Sequence, residues 1–278
     1  MSEPRSWLFV PADSEKKIIK ALDSEADAII FDLEDSVAPG MKAVARELLQ
    51  NLPKRSGGPQ WWVRVNPLGS EFHKDDMDVL GIADIHGIVL PKAESGADVI
   101  QLAHRTGAIP IHAIVTETAA SLFGLLSYLQ PGSSLAAMSW GAEDLSAALG
   151  ASSKYDHNGD LAFTYKLARS LCLAGAVAAG VQPVDGVFAD FKDDAGLKAE
   201  ADAARGEGFT GKLAIHPSQV AVINAAFTPS PAEVSHAEAI VAAFEAQPDA
   251  GVLSVAGKMV DRPHLTQARR VLERAARE

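Results

Sequence analysis

The 278-residue chain reads as an α/β protein, a (β/α)8 TIM barrel with a C-terminal helical extension. Three observations predict this. Eight short runs are apolar almost throughout rather than alternating, the pattern of parallel strands buried on both faces. Helical segments separate them, which makes successive right-handed βαβ units. Eight such units within about 210 residues suit a closed barrel better than an open doubly wound sheet.

The strands follow in order. Ser6–Pro11 (SWLFVP) comes first, with a helix over Ser14–Ser24 behind it. Ala28–Glu34 (AIIFDLE) is an apolar run that ends in acids, and a helix over Met41–Asn51 follows. Trp61–Asn66 (WWVRVN) and His86–Lys92 (HGIVLPK) are the third and fourth strands, the latter leading to a helix over Ser95–Thr106. Ile109–Glu117 (IPIHAIVTE) precedes a helix over Ala119–Leu129. Leu135–Gly141 (LAAMSWG) is the sixth strand, and a long interval separates it from Pro183–Phe188 (PVDGVF), with a helix over Ala162–Gly180 between them. A helix over Ala195–Gly208 then leads to the eighth strand, Gly211–Pro217 (GKLAIHP). Within the long interval, Glu143–Asp160 (EDLSAALGASSKYDHNGD) is a polar excursion, and such loops are usually functional.

The barrel is assigned to residues 1–227 and the extension to 228–278. TPSPAEV is a helix start, with Ser230 as N-cap and Pro231 at the first helical position. That helix runs to about Ala246, and the loop QPDAGVLSVAGKMVDRP leads to a last helix from His264. The extension is expected to cap the barrel or to reach a neighbouring subunit.

Lys and Arg total 25 against 36 Asp and Glu, a net charge of −11. Nucleic acid and anionic membrane surfaces both call for a basic face, so neither is expected as a partner. The lone Cys172 leaves no intrachain disulfide, which suits a reducing compartment. The opening MSEPRSW lacks the charged-then-apolar pattern of a signal peptide, and Leu171–Val181 is far too short to span a bilayer. A cytoplasmic protein is the expectation.

In a barrel of this kind catalytic groups lie at the C-terminal ends of the strands. Those positions hold Asp32-Leu33-Glu34-Asp35, Arg64 and Asn66, Pro91-Lys92, Thr116-Glu117-Thr118, Glu143-Asp144 and His216. Strands five and six are neighbours, so Glu117 and Asp144 can converge as two hard oxygen ligands for Mg2+, which takes the rest of its octahedron from water and substrate. The competing reading makes them first-turn acids favoured by the helix dipole. Arg64, inside a buried strand, requires a counter-charge. Glu34 or Asp35 would supply it structurally; a substrate carboxylate would supply it functionally, with Asp35 orienting the arginine between turnovers. His216 is read as bonding a local group. The remaining histidines lack metal-ligand spacing, no GxGxxG, P-loop or GxSxG pattern occurs, and Cys172 reads as a small core residue.

Eight motifs occur in a recognisable order: RSWLFVPADSEKK, ADAIIFDLEDSVAP, VRVNPLGS, GIVLPKAES, TETAAS, WGAEDLSAALG, GFTGKLAIHPSQV and GKMVDRP. From Arg5 to about Ala268 the chain resembles the citrate lyase β-subunit-like proteins of the HpcH/HpaI aldolase superfamily, which include malyl-CoA and citramalyl-CoA lyases. The resemblance implies a barrel with a helical extension, assembled as a homotrimer. It implies Mg2+, with Mn2+ as a substitute, on Glu117 and Asp144, and a substrate carboxylate on Arg64. It places Asp261 at a neighbouring subunit's site, where it is the candidate to exchange a proton with the thioester enolate, and Glu34 and Asp35 near the metal and the arginine. One departure is Ala12, where many relatives have Gly, in a loop near the pantetheine. Arg5, Lys16 and Lys42, with Lys17 and Lys20, are the cations available for CoA phosphates, although a solvated face of the first helix accounts equally for the lysines there.

The implied reaction splits a 3-hydroxy-3-carboxy acyl thioester, on CoA or an acyl carrier, into an acetyl or other acyl thioester and a 2-oxo acid. Alternatives are an aldolase for free 4-hydroxy-2-oxo acids, malyl-CoA hydrolysis or malate-synthase-like condensation, and a non-catalytic carrier-binding subunit.

Overall fold

The computed structural model describes residues 3–53, 57–81, 85–130 and 132–276. The larger of its two compact units covers 3–224. Its strands are β1 (Ser6–Pro11), β2 (Ala28–Asp32), β3 (Gln60–Arg64), β4 (Gly87–Leu90), β5 (Ile111–Ile114), β6 (Leu135–Ser139), β7 (Gln182–Asp185) and β8 (Gly211–Ala214). All pairings are parallel between consecutive strands, and β8 returns to β1, so the sheet closes. The predicted (β/α)8 barrel is the observed one.

The helices are α1 (Glu15–Leu22), α2 (Lys42–Gln50), α3 (His73–Asp76), α4 (Gly96–Thr106), α5 (Ser121–Gly124), α6 (Ala142–Ala148), α7 (Phe163–Ala179), α8 (Asp194–Glu207) and α9 (Ser218–Phe227), the last crossing the boundary between the units. Seven of the eight strands end two or three residues before the sequence reading places their ends, because the chain leaves the ladder as it turns into the loop. Those residues form the rim of the barrel mouth.

Two local expectations fail. Instead of one helix over Ala119–Leu129, the chain makes the single turn α5 and a 3-10 segment over Leu125–Leu129. Tight packing explains it: a Cβ on Gly124 would meet the Glu94 carbonyl oxygen at 1.9 Å, and Ser127 Oγ accepts from Gly96 N at 2.8 Å. The polar excursion Glu143–Asp160 is partly helical, since α6 supplies its first half. Its tip is a tight turn in which Asp156 accepts from the amides of Asn158 (2.9 Å) and Asp160 (3.1 Å).

The barrel interior is filled by Trp7, Ala28, Ile30, Trp62, Val89, Ile114, Ala137, Val184 and Leu213. The rings of Trp7 and Trp62 lie 4.9 Å apart, and His112 meets Trp7 edge-on at 4.7 Å. Room for Trp62 comes from Gly87 on the neighbouring strand, where a Cβ would lie 2.2 Å from the indole. Outside the barrel wall, fully buried Lys212 donates to Asp185 (2.9 Å) and Glu200 (2.7 Å), while Trp140 Nε1 and Arg169 Nε each donate to Asp185 at 2.8 Å. Every charge in that network has a partner, as buried ions require.

The smaller unit begins at Ala225. Beyond the end of α9 it contains α10 (Pro231–Ala246), a hairpin of β9 (Val252–Val255) and β10 (Lys258–Asp261), and α11 (Arg262–Ala275). Ser230 caps α10 in a reciprocal box with Glu233, with Pro231 at the first position, as the sequence indicates. The hairpin replaces the expected loop. Its two-residue turn, Ala256-Gly257, has φ of 50° and 75°, the left-handed geometry of a type I′ turn, yet lacks the Asn or Asp that normally signals one. Ile240, Phe244, Val255, Val260 and Leu265 give this unit its own core. Among the described residues no helix is long and apolar enough to cross a membrane.

Candidate active site

Arg64 and Asp32 face each other across β3 and β2 in the parallel register. Arg64 Nε donates to Asp32 Oδ1 at 2.7 Å and Nη2 to Asp32 Oδ2 at 2.6 Å, a bidentate pair, and Nη1 lies 3.0 Å from Glu34 Oε2. The guanidinium also covers the Phe9 ring at 4.6 Å. Asp32 is fixed from its other side by the amides of Glu34 (2.9 Å) and Ser36 (3.1 Å). Burial alone would raise the Asp32 carboxyl; the Arg64 charge and hydrogen bonds outweigh it and hold the group below the usual carboxylate range. Glu34 goes the other way, because its burial outweighs Arg64 and Lys92. Asp35 therefore does not orient Arg64, as the sequence reading expects. Asp32 and Glu34 do so, and the exposed Asp35 pairs with Lys92.

Glu117 follows β5 and is buried, with 4% of its surface exposed. Among the described residues its carboxylate accepts one hydrogen bond, from Lys92 N to Oε2 at 2.6 Å. Burial pushes its carboxyl up to about 8, and the Asp144 charge adds to that effect. Asp144 stands in the first turn of α6, directly after β6, and its Oδ1 lies 3.2 Å from Lys92 Nζ. Gly141, between β6 and α6, leaves the space that Glu117 fills: a Cβ there would lie 2.7 Å from Glu117 Cγ and 3.0 Å from Oε1. The structure thus brings both predicted metal carboxylates to the rim beside Arg64.

Lys92 is the residue that sequence reasoning places at a strand tip but gives no role. Its backbone is left-handed at φ 50°, and its Nζ bonds Glu34 Oε1 and reaches Asp35 Oδ2 at 3.0 Å. Burial lowers its pKa, but the hydrogen bond to Glu34 and the surrounding carboxylates raise it overall. Strand-end position was the one signal available. Asp32 carries the same strand-end signal, and the sequence reading gives it no role either. A cavity of about 190 Å3 opens beside the rim, lined by Pro67, Leu68, Leu90, Pro91, Lys92 and Asp98 among others.

The cations named for CoA phosphates divide. Arg5 lies before β1, at the opposite end of the barrel from the mouth, where Nε and Nη2 hold Asp27 at 2.8 and 3.1 Å. Lys42 is buried and donates to the carbonyls of Leu33 (2.8 Å) and Glu34 (3.1 Å) and to Asn66 Oδ1 (2.8 Å). Both are structural, which corrects the expectation. Lys16 is exposed in the first turn of α1, on the mouth side. His216 Nδ1 bonds Ser218 Oγ at 2.7 Å, and its ring stacks on Phe191. Cys172 is buried and pushed up by desolvation, so it is no nucleophile.

In the smaller unit Asp261 is the N-cap of α11, accepting from His264 N at 3.4 Å and bonding its ring. The bond to His264 holds its carboxyl below the usual range.

The donor set suits a magnesium ion. Two hard carboxylates share Lys92 as a partner, the buried one having no hydrogen bond to its Oε1 among the described residues, and Gly141 keeps the space around it open. Among the described residues no group of three or more His, Cys, Asp or Glu forms a closed metal cage. Mg2+ needs none, since it keeps several waters.

Residues 5–217 match the model of the HpcH/HpaI aldolase/citrate lyase family. A (3S)-malyl-CoA thioesterase of Cereibacter sphaeroides is 37% identical, covering 98% of this chain and 94% of its own. The mitochondrial citramalyl-CoA lyase of Homo sapiens is 34% identical over 95% of this chain and 83% of its own. Among solved structures, protein CitE of Mycobacterium tuberculosis in complex with magnesium, acetoacetate and coenzyme A superposes with a TM-score of 0.85 at 36% identity, covering 98% of each chain.

Proposed function

Because the chain belongs to the HpcH/HpaI aldolase/citrate lyase family, we propose that it is a magnesium-dependent lyase of 3-hydroxy-3-carboxy acyl thioesters. It would release an acetyl or related acyl thioester and a 2-oxo acid. The observation that carries the reading is the rim itself: Glu117 and Asp144, gripped by one lysine, beside a half-buried arginine. The CitE complex with magnesium, acetoacetate and coenzyme A supports the choice of cation and carrier, and the human relative supports the reaction class.

Glu117 and Asp144 would hold the ion, which supplies Lewis-acid stabilisation of negative charge on the substrate's hydroxyl oxygen. Arg64 binds the carboxylate that becomes part of the 2-oxo acid. Of the five N–H donors of the guanidinium two bond Asp32, and Nη1 is ion-paired with Glu34, which leaves donors for the substrate. That positive charge is pre-oriented before substrate arrives, which avoids reorganisation at the moment of reaction. The hydroxyl gives up its proton to solvent as its oxygen becomes the carbonyl of the 2-oxo acid. The C–C bond breaks with its electron pair passing to the thioester enolate, and Asp261 of a neighbouring copy in a homotrimer relays a proton from solvent to the enolate carbon. With Arg5 and Lys42 engaged elsewhere, the exposed Lys16, Lys17 and Lys20 of α1 remain as cations for a CoA phosphate.

A second reading, hydrolysis of a malyl thioester, is favoured by the 37% identical thioesterase. Malyl-, citramalyl- and citryl-CoA, each assayed in parallel for 2-oxo acid and for free thiol, separate the two. Lyase action yields glyoxylate, pyruvate or oxaloacetate with no free thiol. Thiol release without an oxo acid would replace the lyase reading by hydrolysis, and neither product from any substrate would remove both.

A further inference from the structure

Of the two cations described at the rim, Lys92 is the one that the proposed reaction leaves without a task. Its left-handed backbone, a conformation that β-carbon sterics disfavour, is the kind of local strain kept where geometry matters. The turn aims its N–H at Glu117 Oε2 (2.6 Å) while the side chain runs into the carboxylates. There Nζ bonds Glu34 and lies 3.0 Å from Asp35 Oδ2 and 3.2 Å from Asp144 Oδ1. One residue therefore grips both members of the metal pair, Glu117 through its amide and Asp144 through its ammonium.

Charge makes the arrangement informative. Among the described residues five carboxylates, Asp32, Glu34, Asp35, Glu117 and Asp144, gather around two cations, Arg64 and Lys92. Arg64 is committed to Asp32 and Glu34, so among the described residues Lys92 is the cation in contact with Asp144. A divalent ion on Glu117 and Asp144 must take Asp144 away from that ammonium and then tolerate it nearby. The side chain has somewhere to go, because Lys92 also lines the 190 Å3 cavity between the β3 and β4 loops.

We propose that Lys92 is a positioning residue that acts as an internal counter-ion. Its ammonium holds Asp144 in register while the ion is absent and yields that carboxylate on metal binding, so that the site binds magnesium more weakly than its carboxylates alone would allow. This rests on the assignment of Glu117 and Asp144 as the metal pair. A merely structural lysine predicts the opposite sign, since its loss would loosen the carboxylates and weaken binding.

Titration calorimetry with MgCl2, without substrate, tests this on the full chain. Lys92→Asn keeps the backbone donor and suits a left-handed residue, and Lys92→Met is a second neutral variant. Both are expected to bind Mg2+ about tenfold tighter than wild type, and Lys92→Arg, which keeps the charge, to bind as wild type. Equal or weaker binding by the two neutral variants overturns the counter-ion role. Asp144→Asn is the control on the premise: if it binds Mg2+ as wild type does, the metal-pair assignment itself falls, whatever the Lys92 variants do.

Discussion

In the proposed reaction Arg64 serves both structure and substrate by dividing its donors. The edge made by Nε and Nη2 is closed by Asp32, and Nη1 leans on Glu34, so the guanidinium is immobilised from below. Removing it would strand a buried carboxylate, a change that costs about 3–5 kcal/mol and would confuse folding with activity. Arg64→Lys is the cleaner substitution, because the charge stays while the planar fork is lost. We expect kcat/KM for thioester cleavage to fall by about 10²-fold, with the melting temperature nearly unchanged. A steady-state assay beside a thermal melt checks it, and near-wild-type turnover would remove Arg64 from substrate binding. The sequence already marked this arginine, because a cation within WWVRVN cannot be buried alone. It could not say which acid answers it. Asp32 does, since the parallel register places it directly across from Arg64, whereas Asp35 lies beyond the strand end in the exposed loop.

Among the elements, the barrel strands were the most legible, since continuous apolar runs report two-sided burial directly. The β9–β10 hairpin was not, because its strands are short, half exposed and joined by Ala-Gly. That hairpin fixes the start of α11, where Asp261 is at once the last strand residue and the helix N-cap. The sequence resemblance named Asp261 for proton transfer, and the structure shows a second, local task. The two roles separate by substitution. Asp261→Asn retains an oxygen that can accept from the His264 amide but cannot carry a proton, so turnover should be lost with stability and Mg2+ binding preserved. Asp261→Ala should lose turnover and also melt at a lower temperature. If Asn supports wild-type turnover, the carboxylate is dispensable and Asp261 is a cap only.

At the scale of the whole molecule, stability depends on ionisable groups buried far apart, and their signs differ. Asp185, held at about 2 mainly by Lys212 and Arg169 against its own burial, contributes stability that is intact above about pH 4 and lost as the pH falls toward 2. Glu117, pushed up to about 8 by burial, works in the opposite sense when no metal is bound, costing stability as the pH rises from about 4.5 toward 8. His112 falls between them. Buried among Trp7 and Trp62 with neither ring nitrogen hydrogen-bonded to a described residue, it is held neutral down to about 3. The unfolded chain protonates it near pH 6.5, so from about 6.5 down to 3 the unfolded state binds the extra proton and stability falls as the pH is lowered. Over the 1.5 units from 6.5 to 5 this amounts to about 2 kcal/mol. Comparing each protein at two pH values cancels the terms it shares with its variant, Glu117 and Asp185 included. We therefore expect the stability difference between wild type and His112→Phe, measured by urea unfolding, to shift by about 2 kcal/mol in favour of the variant between pH 7.5 and pH 5. A difference independent of pH would mean that His112 gains a proton or a bound water in the folded barrel, and that the interior around the two tryptophans is wetter than its packing implies.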